Sequence, residues 1–358
     1  MNIKCAKNIL LFCLLLLPVI AVSQITIIHA GQLLAIPGQA VQAKQSIVID
    51  GGKITSVVPG YLSAEEVESN GEAVRLLDLK DKFVLPGLMD LHVHITMEPR
   101  PGEHLRVATE SDADLALSGA KHAKITLEAG FTTIVDLGRP GTPGHETAVF
   151  ALRDAIHAGK VPGPRILATG SPVSATSQSR RPLYRTEVEE VVGAQAVCDG
   201  ADACRRVVRA QVKKGADIIS FYNSGSLLFE NPVGQAMTDE EMHAIVETAH
   251  SLGRRVIADG HHAAGIEAAI RAGVDSVDSI HFATADTLEL IKKSGTYMQS
   301  HIYAMVAAVG DTRETVHEGI VWWHPTYVLE RLFDIKMKPF VLQRAYRAGI
   351  RKIAFASD

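Results

Sequence analysis

Two histidines separated by a single residue, His92 and His94, stand at the end of a short apolar stretch of the chain. Side chains alternate between the two faces of a β-strand, so both imidazoles point the same way if this stretch is a strand. Neutral imidazole binds Zn²⁺ and similar transition-metal ions. The pair therefore predicts two ligands of a metal site at the end of a strand.

Eight apolar stretches with the length of strands follow one another along the chain, at 84–94, 131–138, 165–170, 216–222, 255–261, 275–281, 296–304 and 351–358. Helical patterns lie between them, such as 238–252, which opens with the capping box Thr238-Asp-Glu-Glu241. Buried strands that alternate with helices favour a parallel sheet and an α/β fold. The count predicts a (β/α)8 TIM-type barrel. A doubly wound open sheet is the alternative, but it would need a Gly-rich phosphate loop after the first strand, where the chain has His92 and His94.

A carboxylate is expected beside the two histidines. Asp358 ends the eighth strand, and the eighth strand of a closed barrel neighbours the first. Active sites in this fold lie at the carboxyl ends of the strands, where all three side chains would meet. A complete barrel also needs a helix after its last strand, so we expect the last helix to be missing from this chain.

The segment Val84-Leu-Pro-Gly-Leu-Met-Asp-Leu-His-Val-His94 resembles the first-strand motif of the amidohydrolase superfamily. The segments 130–136, 152–156, 161–166 and 272–278 extend the resemblance, which is greatest to exported imidazolonepropionase-like and Xaa-Pro-dipeptidase-like members. It covers about residues 24–358 and is specific as a set of motifs. It implies a hydrolase of C–N bonds in which metal-activated water attacks a carbonyl carbon and the eighth-strand Asp accepts the proton.

The residues that match this pattern give a partial metal site. His92, His94 and Asp358 match three expected ligands, and Asp358 is also the expected catalytic base. Ser220 replaces the bridging lysine of the fourth strand, so we expect one divalent ion, Zn²⁺ by preference, instead of two. Asp259 and Ser279 stand where the fifth and sixth strands would carry metal-binding histidines, and Asp259 is a candidate replacement ligand.

Further polar residues near the strand ends are candidates for contacts to the metal ligands or to substrate. They are His261, His281, Tyr222, Ser220, Ser279 and His301.

The first 23 residues have the pattern of a secretory signal peptide. Lys4 and Lys7 precede an apolar run from Ile9 to Val22, and small residues before Gln24 suit cleavage. The run is too short to span a bilayer, which needs roughly 20 apolar residues, so a retained membrane anchor is the less favoured alternative. We therefore expect a secreted or periplasmic protein without a stable membrane span after cleavage.

The rest of the chain divides at residue 83. Residues 24–83 contain short β-rich runs and a hairpin turn at Asp50-Gly51-Gly52, which predict a small antiparallel sheet and match the β-sandwich portion of the family that the chain resembles. Residues 84–358 form the predicted barrel. Cys198 and Cys204 lie within the barrel segment and are a candidate disulfide in an oxidising compartment, with two ordinary thiols as the alternative.

The composition excludes several classes of protein. The chain has 358 residues, 36 Lys and Arg against 40 Asp and Glu, and a formal net charge of −4. With 47% hydrophobic residues it is neither disordered nor collagen-like, and its mild acidity gives no reason to expect nucleic acid as a partner. The expected partner is a small-molecule or dipeptide-like substrate, and a homo-oligomer is left open.

Two hypotheses of function follow. In the first, the chain is a metal-dependent amidohydrolase that cleaves the C–N bond of a dipeptide or cyclic amide. In the second, the replaced ligands and the expected missing helix make it a catalytically inactive amidohydrolase-fold binding protein or a truncated fragment. Metal content and hydrolysis distinguish the two.

Overall fold

The computed structural model describes residues 24–69, 73–98, 109–138, 145–176, 196–224, 234–300 and 340–357. The predicted signal peptide, His301 and Asp358 lie outside these residues. The chain forms two compact units, Met1–Pro86 and Gly87–Asp358. Among the described residues, no helix combines the length and the apolar character that crossing a membrane requires.

The first unit contains a four-stranded sheet in the order β3-β2-β1-β4. Its strands are β1 (Ile25–Leu33), β2 (Gln42–Asp50), β3 (Lys53–Pro59) and β4 (Val74–Val84). The predicted hairpin is confirmed, because β2 and β3 pair antiparallel on either side of Gly51 and Gly52, which both have positive φ. The prediction of a purely antiparallel sheet is wrong. β4 pairs parallel to β1, a pairing that needs a long connection instead of a tight turn.

The second unit contains eight strands in two parallel sheets. One sheet has the order β5-β6-β7 and the other the order β12-β11-β10-β9-β8. The strands are β5 (Leu88–Val93), β6 (Phe131–Asp136), β7 (Arg165–Ala168), β8 (Ile218–Tyr222), β9 (Arg255–His262), β10 (Ser276–Phe282), β11 (Tyr297–Ser300) and β12 (Ile353–Phe355).

The two sheets meet at both edges. Asp217 N donates to Ala168 O at 2.8 Å, which joins the start of β8 to β7. At the other edge, Ser357 N donates to Asp90 Oδ1 at 3.0 Å, which joins the segment after β12 to β5. The two sheets therefore place the eight strands in sequence order, and the predicted (β/α)8-type fold is confirmed.

Helices connect the strands, as a parallel arrangement requires. They are α1 (Asp112–Glu128), α2 (His145–His157), α3 (Ala201–Lys214), α4 (Asp239–Ser251), α5 (Ala263–Ala272) and α6 (Ala285–Ser294), and residues 340–347 are also helical. The predicted capping box of α4 is confirmed. Thr238 Oγ1 accepts from Glu241 N at 3.2 Å, and the Glu241 carboxylate accepts from Thr238 N at 2.8 Å.

The apolar core of the second unit has two parts. The larger part packs the strands against the helices and includes Phe221, Ile245 and Ile266, all fully buried. The smaller part consists of Val135, Leu137, Ile218 and Ile257, which come from β6, β8 and β9 and the residue after β6. Residues two positions further along β8 and β9 lie on the same face of each strand as this small cluster. That face therefore changes from apolar to polar at Ser220 and Asp259, toward the carboxyl ends of the strands.

Candidate metal site

His92 and His94 come together at the carboxyl end of β5. His92 is buried, and its Nε2 lies 3.3 Å from Nε2 of His94, with the two rings almost perpendicular at 86°. Two imidazole nitrogens that bind one tetrahedral Zn²⁺ at 2.0–2.1 Å are held about 3.3 Å apart. The distance between the two nitrogens therefore fits a single ion bound by both.

A carboxylate on a distant strand fixes the orientation of His92. Asp278, on β10, is fully buried, and its Oδ2 forms a short contact with Nδ1 of His92. Its other oxygen accepts from Ser279 N at 2.6 Å. A carboxylate at Nδ1 favours the tautomer with the proton on Nδ1, which leaves the lone pair of Nε2 available for a metal ion.

Sequence reasoning did not assign a role to Asp278, which belongs to a segment used only for the family resemblance. The available signal was an acid near the carboxyl end of a predicted barrel strand, the position where functional side chains of this fold are found. The partner of that acid depends on the packing of β10 near β5, which no local pattern in the sequence encodes.

A second buried carboxylate, that of Asp90, joins the backbone of β5 to the backbone of the segment after β12. Asp90 Oδ1 accepts from His92 N at 3.2 Å and from Ser357 N at 3.0 Å. Burial raises the pKa of the Asp90 carboxyl above its usual value, although hydrogen bonds from Ser357 and His92 act in the opposite direction. Asp90 therefore links the strand that carries the two histidines to the segment that leads into Asp358, which itself lies outside the described residues.

Ser220 and Asp259 lie on the neighbouring strands β8 and β9. Ser220 Oγ and Asp259 Oδ1 are buried and have no hydrogen-bond partner among the described residues. Asp259 and Asp278 are directly paired across β9 and β10, so their side chains lie on the same face of the sheet. Asp259 therefore points toward the side on which Asp278 meets His92.

The remaining candidates occupy the strand ends around this face. Tyr222 and His261 are half-buried, and the backbone N–H of His261 donates to Ser224 Oγ at 2.8 Å. Ser279 is buried and has a left-handed backbone conformation, with φ of 67°. His281 lies within β10, but its side chain is outside the described part of the structure.

A close junction holds β8 against β9 beside these residues. Asn223 is fully buried, and its backbone N–H donates to Asp259 O at 3.1 Å. Its carboxamide lies directly against Gly260, where an added Cβ would be 1.9 Å from Asn223 Oδ1. His262 lies at the end of β9 and stacks on Phe282, and burial lowers the pKa of its imidazole.

The described residues supply two of the expected ligands in one place. Within them, no group of three or more His, Cys, Asp or Glu side chains is arranged to hold a metal ion. Asp358, the third expected ligand, lies outside the described residues.

Cys198 and Cys204 are joined by a disulfide in the structure. Both residues are buried, and the bridge connects the segment before α3 to the first turn of that helix. The segment before α3 is also tied to the segment that follows β7, because Cys198 N donates to Ser174 O at 2.8 Å.

Comparisons with known proteins agree on one family. The profile of the amidohydrolase family matches residues 83–324. Ochratoxinase of Aspergillus niger is 28% identical over 360 residues, which cover 94% of this chain and 69% of that protein. The crystal structure of a Xaa-Pro dipeptidase with methionine bound in its active site is 30% identical, with a TM-score of 0.75 over 93% of this chain and 79% of the other.

A second structure supports the fold alone. The A. niger ochratoxinase crystal structure superposes with a TM-score of 0.73 at 23% identity and covers 94% of this chain and 76% of the other.

Proposed function

The chain belongs to the amidohydrolase family, whose members hydrolyse C–N bonds, and on that premise we propose that it is a metal-dependent hydrolase of a dipeptide-like or cyclic amide. The observation that carries the metal dependence is the pair of Nε2 atoms of His92 and His94, 3.3 Å apart at the end of β5. Family members in general use divalent metal ions, and this pair offers nitrogen ligands at the spacing that one such ion needs.

The charges around the histidine pair also favour a cation. Asp278 contacts His92, Asp259 lies beside Asp278 on the next strand, and Asp90 lies two residues before His92. The strands β5, β8, β9 and β10 contain no lysine or arginine apart from Arg255 at the start of β9. Carboxylates gathered in a partly buried region attract a positive ion, because each carboxylate is costly to bury alone.

We propose that one ion is bound, with Zn²⁺ as the preferred metal. Its ligands would be His92, His94 and Asp358, with Asp259 as a further candidate. Ser220 stands where a bridging carboxylated lysine would be needed to hold two cations about 3.5–4 Å apart, and a neutral hydroxyl does not supply that negative charge.

The residues of the chain have distinct roles in this proposal. A bound divalent ion would polarise the scissile carbonyl and lower the pKa of water. His92 and His94 hold the ion, and Asp278 keeps the His92 ring in position. Asp358 accepts the proton of the attacking water and passes it to the leaving nitrogen.

The substrate class is proposed from the relatives. The structural relative at 30% identity is a Xaa-Pro dipeptidase, so dipeptides that end in proline are the first substrates to test. Tyr222 and His261 are candidates for contacts to the substrate, because they lie at the carboxyl ends of β8 and β9, where this fold places its active site.

We also propose that the protein works outside the cytosol, in the periplasm or as a secreted enzyme. The basic and then apolar N-terminal segment supports this proposal. The Cys198–Cys204 disulfide supports it as well, because such bridges persist in oxidising compartments.

The test combines metal content with hydrolysis. The purified full chain is expected to bind about one equivalent of Zn²⁺ per chain and to hydrolyse at least one member of a panel of dipeptides and cyclic amides. His92→Ala and His94→Ala should each abolish hydrolysis and weaken metal binding. His243→Ala, which changes an exposed histidine on α4, should change neither.

One outcome would contradict the proposal. If the folded chain binds no Zn²⁺, Mn²⁺ or Co²⁺ and hydrolyses nothing in the panel with these ions added, the chain is not a metal-dependent hydrolase, and a binding role without catalysis takes its place.

A further inference from the structure

We infer that Asp278 is a positioning residue that selects the tautomer of His92 and thereby sets the affinity of the site for its metal ion. This inference rests on the proposed metal-binding role of His92 and His94. It concerns a residue for which the sequence pattern gave no role.

The contact between the two side chains is close and shielded from water. Both Asp278 and His92 are buried, with 0% and 3% of their surfaces exposed, and Oδ2 of the acid faces Nδ1 of the imidazole. A buried carboxylate needs hydrogen-bond donors, and a ring N–H directed at it supplies one. The Nδ1–H tautomer satisfies both groups, whereas the Nε2–H tautomer would set two acceptors against each other.

The acid is itself held in place. Its second oxygen accepts from Ser279 N at 2.6 Å, and Ser279 has a left-handed backbone conformation with φ of 67°. This conformation is uncommon and unfavourable for residues other than glycine. The residue with this unfavourable backbone conformation is thus the one whose N–H donates to the Asp278 carboxylate.

The direction of Nε2 of His92 follows from these contacts. With Nδ1 fixed on Asp278, Nε2 of His92 lies 3.3 Å from Nε2 of His94, and the backbone of His92 is held from the other side by Asp90. The lone pair that would bind the ion is thus aimed before any ion arrives. Removing an outer partner of this kind typically weakens metal binding 10–100-fold.

Three variants separate the effect of orienting the His92 ring from the effect of the negative charge on Asp278. Asp278→Ala removes the acceptor, so we expect metal affinity to fall 10–100-fold. Asp278→Asn keeps an oxygen that can accept from Nδ1–H but removes the charge, so its affinity should lie between those of the wild type and Asp278→Ala. Asp275→Asn is the matched control, because Asp275 immediately precedes the same strand and its carboxylate accepts from Val256 N at 2.8 Å and contacts Nε2 of His250 at 2.9 Å instead of His92.

Two measurements are made on each folded variant, with folding checked by circular dichroism. The first is the dissociation constant for Zn²⁺ or Co²⁺ by competition with a chelator at constant pH. The second is the tautomer of His92 in the metal-free chain, from long-range ¹H–¹⁵N NMR of ¹⁵N-histidine-labelled protein, with signals assigned by their loss in His92→Gln. We expect the proton on Nδ1 in the wild type and in Asp278→Asn, and a shift toward Nε2 in Asp278→Ala.

The outcomes are distinguishable from failure of the proposed function. Metal affinity of Asp278→Ala equal to that of the wild type, or an Nε2–H tautomer in the wild type, overturns the inference. A wild-type chain that binds no metal ion overturns both the proposed function and the effect on affinity inferred here. A loss of metal affinity as large in Asp275→Asn as in Asp278→Ala also overturns the inference, because the effect would then reflect general loosening of β10.

Discussion

The environment of His92 illustrates how single side chains prepare the candidate site. Its ring meets Asp278 through Nδ1, its Nε2 faces His94, and its backbone N–H donates to Asp90. An imidazole with this many fixed contacts has little rotational freedom left to lose when it binds an ion. The conformational entropy of the His92 side chain is therefore lost during folding. Binding of the ion does not require a further loss of this entropy.

Gly260 gives a prediction at the same scale. It lies between Asp259 and His261, and a Cβ at this position would stand 1.9 Å from Asn223 Oδ1 and 2.7 Å from Asn223 Cγ. Asn223 is fully buried, so its carboxamide has little room to move away. Gly260→Ala should lower the free energy of unfolding by about 1–3 kcal/mol, the usual range for overpacking, as measured by urea denaturation.

Two further variants check the cause of this loss. Gly234→Ala should have a much smaller effect, because the nearest atom to its added Cβ is Ala264 Cβ at 3.4 Å, an ordinary contact. Asn223→Ala in the Gly260→Ala background should recover part of the stability that Gly260→Ala loses. Equal losses in Gly260→Ala and Gly234→Ala would show that the contact with Asn223 is not the cause.

Among the secondary-structure elements, Glu146 connects three segments on the outside of the barrel. It lies in the first turn of α2, accepts from Lys214 Nζ at the end of α3 at 2.6 Å, and accepts from Ser171 Oγ after β7 at 2.8 Å. Burial acts to raise the pKa of Glu146, but the hydrogen bonds from Lys214 and Ser171 outweigh it and lower the pKa below its usual value.

A pH dependence follows from this lowered pKa. An acid whose pKa is lower in the folded chain than in the unfolded chain stabilises the fold above its unfolded pKa, here about 4.3, and loses that contribution as pH falls through its folded pKa. Glu146→Gln should therefore cost about 1–2 kcal/mol of unfolding free energy at pH 7. The difference from the wild type should shrink below about pH 4, as measured by urea denaturation at several pH values.

The control for Glu146 is an exposed acid in a similar ion pair. Glu128 pairs with Lys124 on the surface of α1, so Glu128→Gln should change the unfolding free energy by less than about 0.5 kcal/mol at any pH. A difference between Glu146→Gln and the wild type that stays constant from pH 3 to pH 7 would contradict the role of the charge.

Much of the element order could be predicted from the sequence, because the relevant signals are local. The start of α4 follows from the capping residues Thr238 and Glu241, and the turn between β2 and β3 follows from Gly51 and Gly52. The parallel pairing of β1 with β4 could not be predicted. About 40 residues separate the two strands, and the alternation of side chains along one strand does not identify the distant strand with which it pairs.

The candidate site likewise has one part that the local sequence predicts and one part that depends on tertiary packing. The spacing of His92 and His94 places both rings on one face of a strand, and the structure brings them together. The contact of His92 with Asp278 spans 186 residues of sequence and depends on how β10 packs near β5. The left-handed conformation of Ser279 likewise follows from tertiary packing, because serine has no local preference for it.

On the scale of the whole molecule, Asp90 is part of one of the two junctions between the parallel sheets. Its carboxylate accepts from Ser357 N after β12 and from His92 N within β5. The arrangement of the barrel and the arrangement of the metal ligands therefore depend on the same side chain.

Asp90→Ala should accordingly affect both properties together. Loss of a buried acceptor leaves two backbone N–H groups without it, which should lower the free energy of unfolding by about 1–3 kcal/mol and the melting temperature with it. The amide proton of Ser357 should exchange faster with solvent, and metal affinity should fall. Asp90→Asn keeps an oxygen acceptor and should lie closer to the wild type in all three measurements.

The comparison of the two Asp90 variants gives a direct check. If Asp90→Ala lowers the melting temperature but leaves exchange at Ser357 and metal affinity as in the wild type, the carboxylate stabilises β5 alone and does not join it to the segment after β12.

The Cys198–Cys204 bridge has a practical consequence for anyone who prepares this protein. A chain produced in a reducing host cytosol would carry two thiols at these positions, and thiolates are strong ligands of soft and borderline ions such as Zn²⁺. Such a preparation could take up zinc at the start of α3, away from His92 and His94, and its zinc stoichiometry would then overstate the occupancy of the barrel site. Production in an oxidising host compartment, with a thiol assay before each metal titration, removes these two cysteines as a source of bound zinc.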